Sequence, residues 1–219
     1  MPPYDWRLPS LPEVTSGSVE SARRRPGPLP AGADARDWLL DAAERLFAER
    51  GIDGASLRSI SAAAGLTSAA LHYHFASRDE LVIAVLQRRR SGLLSSDGFA
   101  ALHDLDVVGV ADVVAATVEP WFALLQLEPA QGAFHIRLFS QLLAARDPRV
   151  QAVSVGTTER FRQLIGRLPG PASSPRRWEI AIDSLMHGLA SIASLHLPPE
   201  ELRRQFDELQ AFVVSGISG

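Results

Sequence analysis

Cysteine is absent from the 219 residues and so is lysine, so that all 22 basic side chains are arginine. The first absence excludes disulfides, thiolate catalysis and cysteine-based zinc sites, and leaves reducing and oxidising surroundings equally open. The second reads as compositional bias, although it also gives every cation a planar fork suited to phosphate. No stretch of about 18 apolar residues indicates a membrane span. The opening MPPYDWRLPSLPEV has neither the basic start nor the apolar run of a secretory signal, so a cytoplasmic protein without a membrane partner is expected. Dinucleotide-binding, P-loop, zinc-protease and nucleophile-elbow patterns are missing, and the six histidines have no ligand spacing. Neither an enzyme, a cofactor nor a metal site is expected. No run alternates with period two between turn signals, which favours an all-α chain.

What is present is a hydrophobic content of 46%, enough for a sizeable core, and a net charge of -3. Whole-domain basicity is the usual footprint of a nucleic-acid binder, so this charge weighs mildly against one. Its distribution softens the objection. Residues 1–96 carry 12 Arg against 11 Asp and Glu, whereas the rest carry 10 Arg against 14 acids.

Residues 1–33 hold 7 of the 15 prolines and no periodicity, the composition of a disordered or loosely packed tail. Arg23, Arg24 and Arg25 within it are a solvated charge run or an arm that touches phosphates. From Asp34 the pattern becomes an amphipathic helix closed at Gly51, with Leu39, Ala43, Leu46 and Phe47 on one stripe and Asp41, Glu44, Arg45 and Glu49 facing water. Ser56 can cap a short helix that Gly65 closes in the left-handed conformation, and Thr67 can start another, held down by Leu71, Tyr73 and Phe75. Helix, glycine turn and second helix form a helix-turn-helix, whose second helix enters the DNA major groove.

Ser77 and Glu80 form a capping box for a helix from Arg78 to about Leu94, with a break expected over Ser91 to Gly98. Further helices are expected over Val107–Leu127, kinked or split at Pro120, and over Phe134–Arg146, Val150–Leu168, Arg176–Leu197 and Pro199 to about Ser215. The last two carry apolar stripes that include Leu185, Gly188, Leu189, Ile192, Leu202, Phe206, Leu209 and Val213. On pattern alone these stripes complete the subunit core or pair with a second subunit. Helix-turn-helix modules commonly dimerise to read two half-sites, which favours a homodimer interface.

The residues from about Asp37 to Val85 resemble the amino-terminal domain of the TetR family of transcriptional regulators. Ala43, Leu46, Phe47, Gly51, Ser56, Ile60, Ala64, Gly65, Leu71, Tyr73, His74, Phe75, Ser77, Glu80 and Leu81 all match in type and spacing. The resemblance implies an all-α fold with a three-helix DNA-binding domain over 34–80 and a helical effector-binding and dimerisation domain over 81–219. It also implies DNA contacts at Ser56, Arg58, Thr67, Ser68, Ala69, Ala70, His72, Tyr73, His74 and Arg78. Arg58 would reach a base edge or phosphate, Thr67 to Ala70 would form the tip of the recognition helix, and Tyr73, His74 and Arg78 would meet phosphates. His72 stands where the family usually has Tyr.

The effector half offers Trp121, Phe122, Phe134, His135, Arg137, Phe139, Phe161, Trp178 and Met186 as lining for a pocket, ordinary core packing being the plainer role of each. The expected protein is a homodimeric, ligand-responsive repressor of a near-palindromic operator, with double-stranded DNA and an unidentified small molecule as partners. The alternative is a helical protein-interaction or small-molecule-binding protein whose head no longer reads DNA.

Overall fold

The computed structural model describes residues 34–94, 98–195 and 197–219, and every regular element among them is helical. The proline-rich tail with Arg23, Arg24 and Arg25, and residues 95–97 of the expected break, lie outside the described residues. Helix α1 spans Ala35–Gly54, and Asp34 starts it by accepting the Arg36 N–H at 2.8 Å. At Gly51 the backbone leaves helical geometry with φ +73°, a conformation that costs glycine little, and one further turn follows. Helices α2 (Leu57–Ala63) and α3 (Ser68–His74) are capped by Ser56 and Thr67, whose hydroxyls accept the Ser59 and Ala70 N–H groups. Gly65 sits at φ +70° between them.

Helix α4 (Arg78–Leu94) begins with the Ser77 hydroxyl accepting the Glu80 N–H while Glu80 accepts the Ala76 N–H. Its first turns bury Leu81, Val82, Val85 and Leu86 against α1, so the head and the start of α4 share one core with Leu39, Phe47, Ile60, Leu71 and Phe75. Leu138 and Leu142 of the second half close that core from below.

Helix α5 (Gly98–His103) was not expected; six residues beside a Ser- and Gly-rich stretch carry too little periodicity to announce a helix. Helices α6 (Val110–Leu127), α7 (Pro129–Ala144), α8 (Pro148–Gly166), α9 (Pro175–Ser194) and α10 (Pro199–Ser218) follow. The last four each have proline in the first turn, where its missing N–H costs nothing. Pro120 does not split α6. By length and apolarity α6 would pass for a membrane span, contrary to the sequence expectation, yet its Val113, Val114, Val118, Phe122 and Leu125 are buried against the other helices.

The second core lies between α6, α7, α9 and α10. Arg203 of α10 grips Glu119 of α6 through both carboxylate oxygens at 2.9 and 3.1 Å and lies over the Phe122 ring. Among the stripe residues of α9 and α10, Leu185, Leu189, Ile192, Phe206 and Val213 are buried within the subunit, and Leu202 and Leu209 pack against the same core. A Cβ on Gly188 would stand 2.8 Å from Leu209 Cδ1, so this small residue lets α10 approach α9. The stripes thus complete the subunit's own core, because α7 and α6 lie beneath the two helices and take up their apolar sides. What faces outward instead is Ile180, Ser184, His187 and Ser191 on α9 and Leu195 at its C-cap, with Glu208 and Phe212 on α10.

Candidate functional site

The α2–turn–α3 unit is fixed from inside by Ile60, Leu71 and Phe75 and across its helices by Ser61, whose Oγ lies 3.4 Å from Ser68 Oγ. With the inner face so occupied, the outer face carries Ser56, Arg58, Thr67, Ser68, Ala69, His72 and Tyr73, all exposed. Ala70 and His74 are half-buried beside them. Tyr73 is 86% exposed, so Leu71 and Phe75 hold α3 down without it, and its ring meets only the edge of His74. No hydrogen bond or ion pair among the described residues occupies the Arg58 guanidinium. A free fork, three hydroxyls, small side chains at the helix tip and a protruding phenol suit groove and phosphate contacts.

Arg78 differs. Its Nη1 donates to the Ile52 carbonyl at 3.2 Å and approaches Asp53 at 3.9 Å, so it braces the end of α1 as well as facing outward. Arg78→Ala is therefore expected to lower stability by about 1 kcal/mol through the lost carbonyl bond. A chemical-denaturation midpoint equal to that of the parent would contradict this bracing role.

A second site lies in the other half, where a cavity of about 400 Å³ opens between α4, α6, α7, α8 and α9. That volume is in the range of small-molecule sites. Of the pocket residues expected from sequence, Trp121, His135, Phe139, Phe161, Trp178 and Met186 line it. Phe122 does not, because it turns into the α6–α10 contact against Phe206. Phe134 faces a separate groove with Trp38 and Gln131 between α1 and α7, and Arg137 lines neither. Sequence reasoning missed the polar side of the wall, Thr117, Gln151, Ser154, Thr157 and Thr158, since threonine and serine on an amphipathic helix carry no distinctive signal.

Head and cavity meet at Glu44. Expected to face water, it is 1% exposed. Its Oε1 lies 2.7 Å from His135 Nδ1, and its Oε2 accepts from Arg88 Nη2 at 3.2 Å. Arg88 also donates to Asp41 at 2.7 Å and to the Asp37 carbonyl, tying α4 to α1. The reason is that α7 crosses α1 on a second side, burying Leu40, Glu44 and Ala48 in succession. That i, i+4, i+8 row was the available signal.

Arg149 of α8 makes a further link, donating to Asp79 in the first turn of α4 at 2.7 Å and to Asp147. The guanidinium of Arg149 holds the Asp147 carboxyl below the usual carboxylate range, and the pairing raises Arg149 in turn. Among the described residues no group of three His, Asp or Glu side chains is placed to hold a metal ion.

Residues 39–85 match the family model described as bacterial regulatory proteins, tetR family. The chain is 30% identical over 157 residues to the HTH-type transcriptional repressor Rv1474c of Mycobacterium tuberculosis, covering 70% of this chain and 71% of that one. The chain belongs to the TetR family. As a member of it, this chain is a DNA-binding transcriptional regulator, and the matched residues run from α1 into α4, the head described above. It is also 27% identical over 165 residues to the HTH-type transcriptional regulator BetI of Rhizobium meliloti, covering 75% of this chain and 80% of that protein. A TetR-like transcriptional regulator from Rhodococcus sp. RHA1 shares the fold of this family member with a TM-score of 0.55 at 21% identity. The match covers 88% of this chain and all of the other.

Proposed function

We propose that the protein represses transcription by binding a near-palindromic operator as a homodimer, and that a small molecule in the α4–α9 cavity releases it. The observation that carries the reading is the outward face of α2 and α3, exposed and with its one arginine free, on a head whose core is complete without it. Ser56, Arg58, Thr67, Ser68, Ala69, Ala70, His72, Tyr73 and His74 supply the DNA surface, with Arg78 bracing its edge. The repressor named among the relatives supports the direction of regulation. Dimerisation uses the outward sides of α9 and α10, where Ile180 and Phe212 are exposed large apolar side chains. It would place two recognition helices about 34 to 36 Å apart, one turn of DNA. The regulator then works in the bacterial cytoplasm, where its operator is.

An occupant changes operator affinity only by its differential binding to two subunit arrangements. The bonds from His135 through Glu44 to Arg88 give the cavity wall a direct connection to α1 and α4 of the head.

Selection of bound DNA from a random pool tests the reading, with enrichment of a two-fold symmetric site expected and no enrichment overturning it. On the selected site, Arg58→Ala is expected to cost about 1 to 3 kcal/mol of binding and to relax preference at one base pair, as for a bidentate contact to guanine. Unchanged affinity and selectivity would remove Arg58 from the reading surface.

A further inference from the structure

We infer that the cavity takes an uncharged, largely apolar molecule bearing a hydroxyl, and that His135 Nε2 selects it by accepting that hydroxyl's proton in a hydrogen bond. This rests on the effector reading above and goes beyond it by naming the ligand's chemistry.

Three acceptors belong to residues on the α6–α7 side of the wall. The first is His135. An ionised carboxylate only accepts hydrogen bonds, so with Glu44 bound to Arg88 the His135 Nδ1 is the donor at 2.7 Å. With Nδ1 turned to Glu44 as the donor, the uncharged form of the ring has Nε2 as its acceptor. The second is the carbonyl of Ala116. Pro120, four residues on, has no N–H to give it, and both residues line the cavity. The third is Thr117, whose hydroxyl proton is already committed to the Val113 carbonyl at 2.7 Å, leaving its lone pairs. Trp121, stacked on the His135 ring at 5.9 Å, holds the imidazole in place.

Among the described residues the wall has no free charge. Of its charged side chains, Arg162 is held by Glu159, and Glu179 by Arg176 at 2.8 Å. A buried charge on the ligand would find no partner, which is costly in an apolar site. A neutral hydrogen-bond donor on an apolar body answers both conditions.

The test uses the full-length protein and three probes of one shape in calorimetric titrations: 2-naphthol, 2-methoxynaphthalene and 2-naphthoate. The methoxy compound keeps the oxygen without the proton, and the naphthoate carries a charge. One hydrogen bond corresponds to about a three- to tenfold preference. We expect 2-naphthol to bind better than both others by at least that factor.

His135→Asn retains an N–H for Glu44 and loses the cavity-facing nitrogen, so it is expected to keep the thermal midpoint near that of the parent while the preference disappears. Should that variant fail to fold, Thr117→Val is expected to reduce the preference for 2-naphthol over 2-methoxynaphthalene. Equal binding of those two probes overturns the inference, as does tighter binding of 2-naphthoate, which would mean an imidazolium. A preference that survives in His135→Asn, or no binding of any probe up to its solubility, does the same. Operator affinity measured alongside separates the two proposals: selective 2-naphthol binding that leaves DNA binding unchanged sustains the ligand chemistry and removes the effector role.

Discussion

Glu44→Ala is expected to destabilise the protein by about 3 to 5 kcal/mol, the loss that follows when one partner of a buried charge pair is removed. The carboxylate is 1% exposed and is shared between His135 and Arg88, whose own side chain is mostly covered. Alanine would leave the His135 Nδ1 without its partner and take from Arg88 one of its acceptors, while opening a void between α1 and α7. Glu44→Gln keeps the volume and one acceptor oxygen, and is expected to lose less. Urea denaturation of the three proteins measures both differences. An alanine variant within about 0.5 kcal/mol of the parent, as for an ordinary surface substitution, would mean that the buried network contributes little.

Phe212→Glu is expected to leave the subunit folded and to abolish its pairing. The phenyl ring is 71% exposed on α10, so the subunit loses little by the exchange, whereas a two-fold axis through that face would bring two carboxylates together. Sedimentation should show the parent as a dimer and the variant as a monomer. Operator affinity should fall by ~100-fold or more, since linking two binding events commonly contributes a factor of that order. A variant that remains dimeric would place the interface elsewhere.

The contrast between these two residues shows what was legible in the chain. The head is legible in the sequence because its signals are local: Ser56, Thr67 and Ser77 bond to N–H groups three residues away, and Gly65 supplies a left-handed turn. Leu71 and Phe75 followed from helical spacing. Beyond the head, long helices were visible but their ends slid by several residues, and α5 was missed. Pro120 was expected to kink or split α6, and it sits inside the unsplit helix.

The apolar stripes of α9 and α10 were seen, yet a stripe does not say whether its own subunit or another covers it. The same holds for the pocket, where Trp121 and Phe122 are adjacent in sequence and point to different places.

By itself, then, the sequence determined the helical class, the capped helix-turn-helix and the family. Only the tertiary structure decided that Glu44 is buried, which aromatic residues border the cavity and which side of α9 and α10 is free. Caps and turns depend on bonds between residues a few positions apart. The pairing of Glu44 with His135 joins residues 91 positions apart, and a side chain's burial depends on which distant helix crosses it.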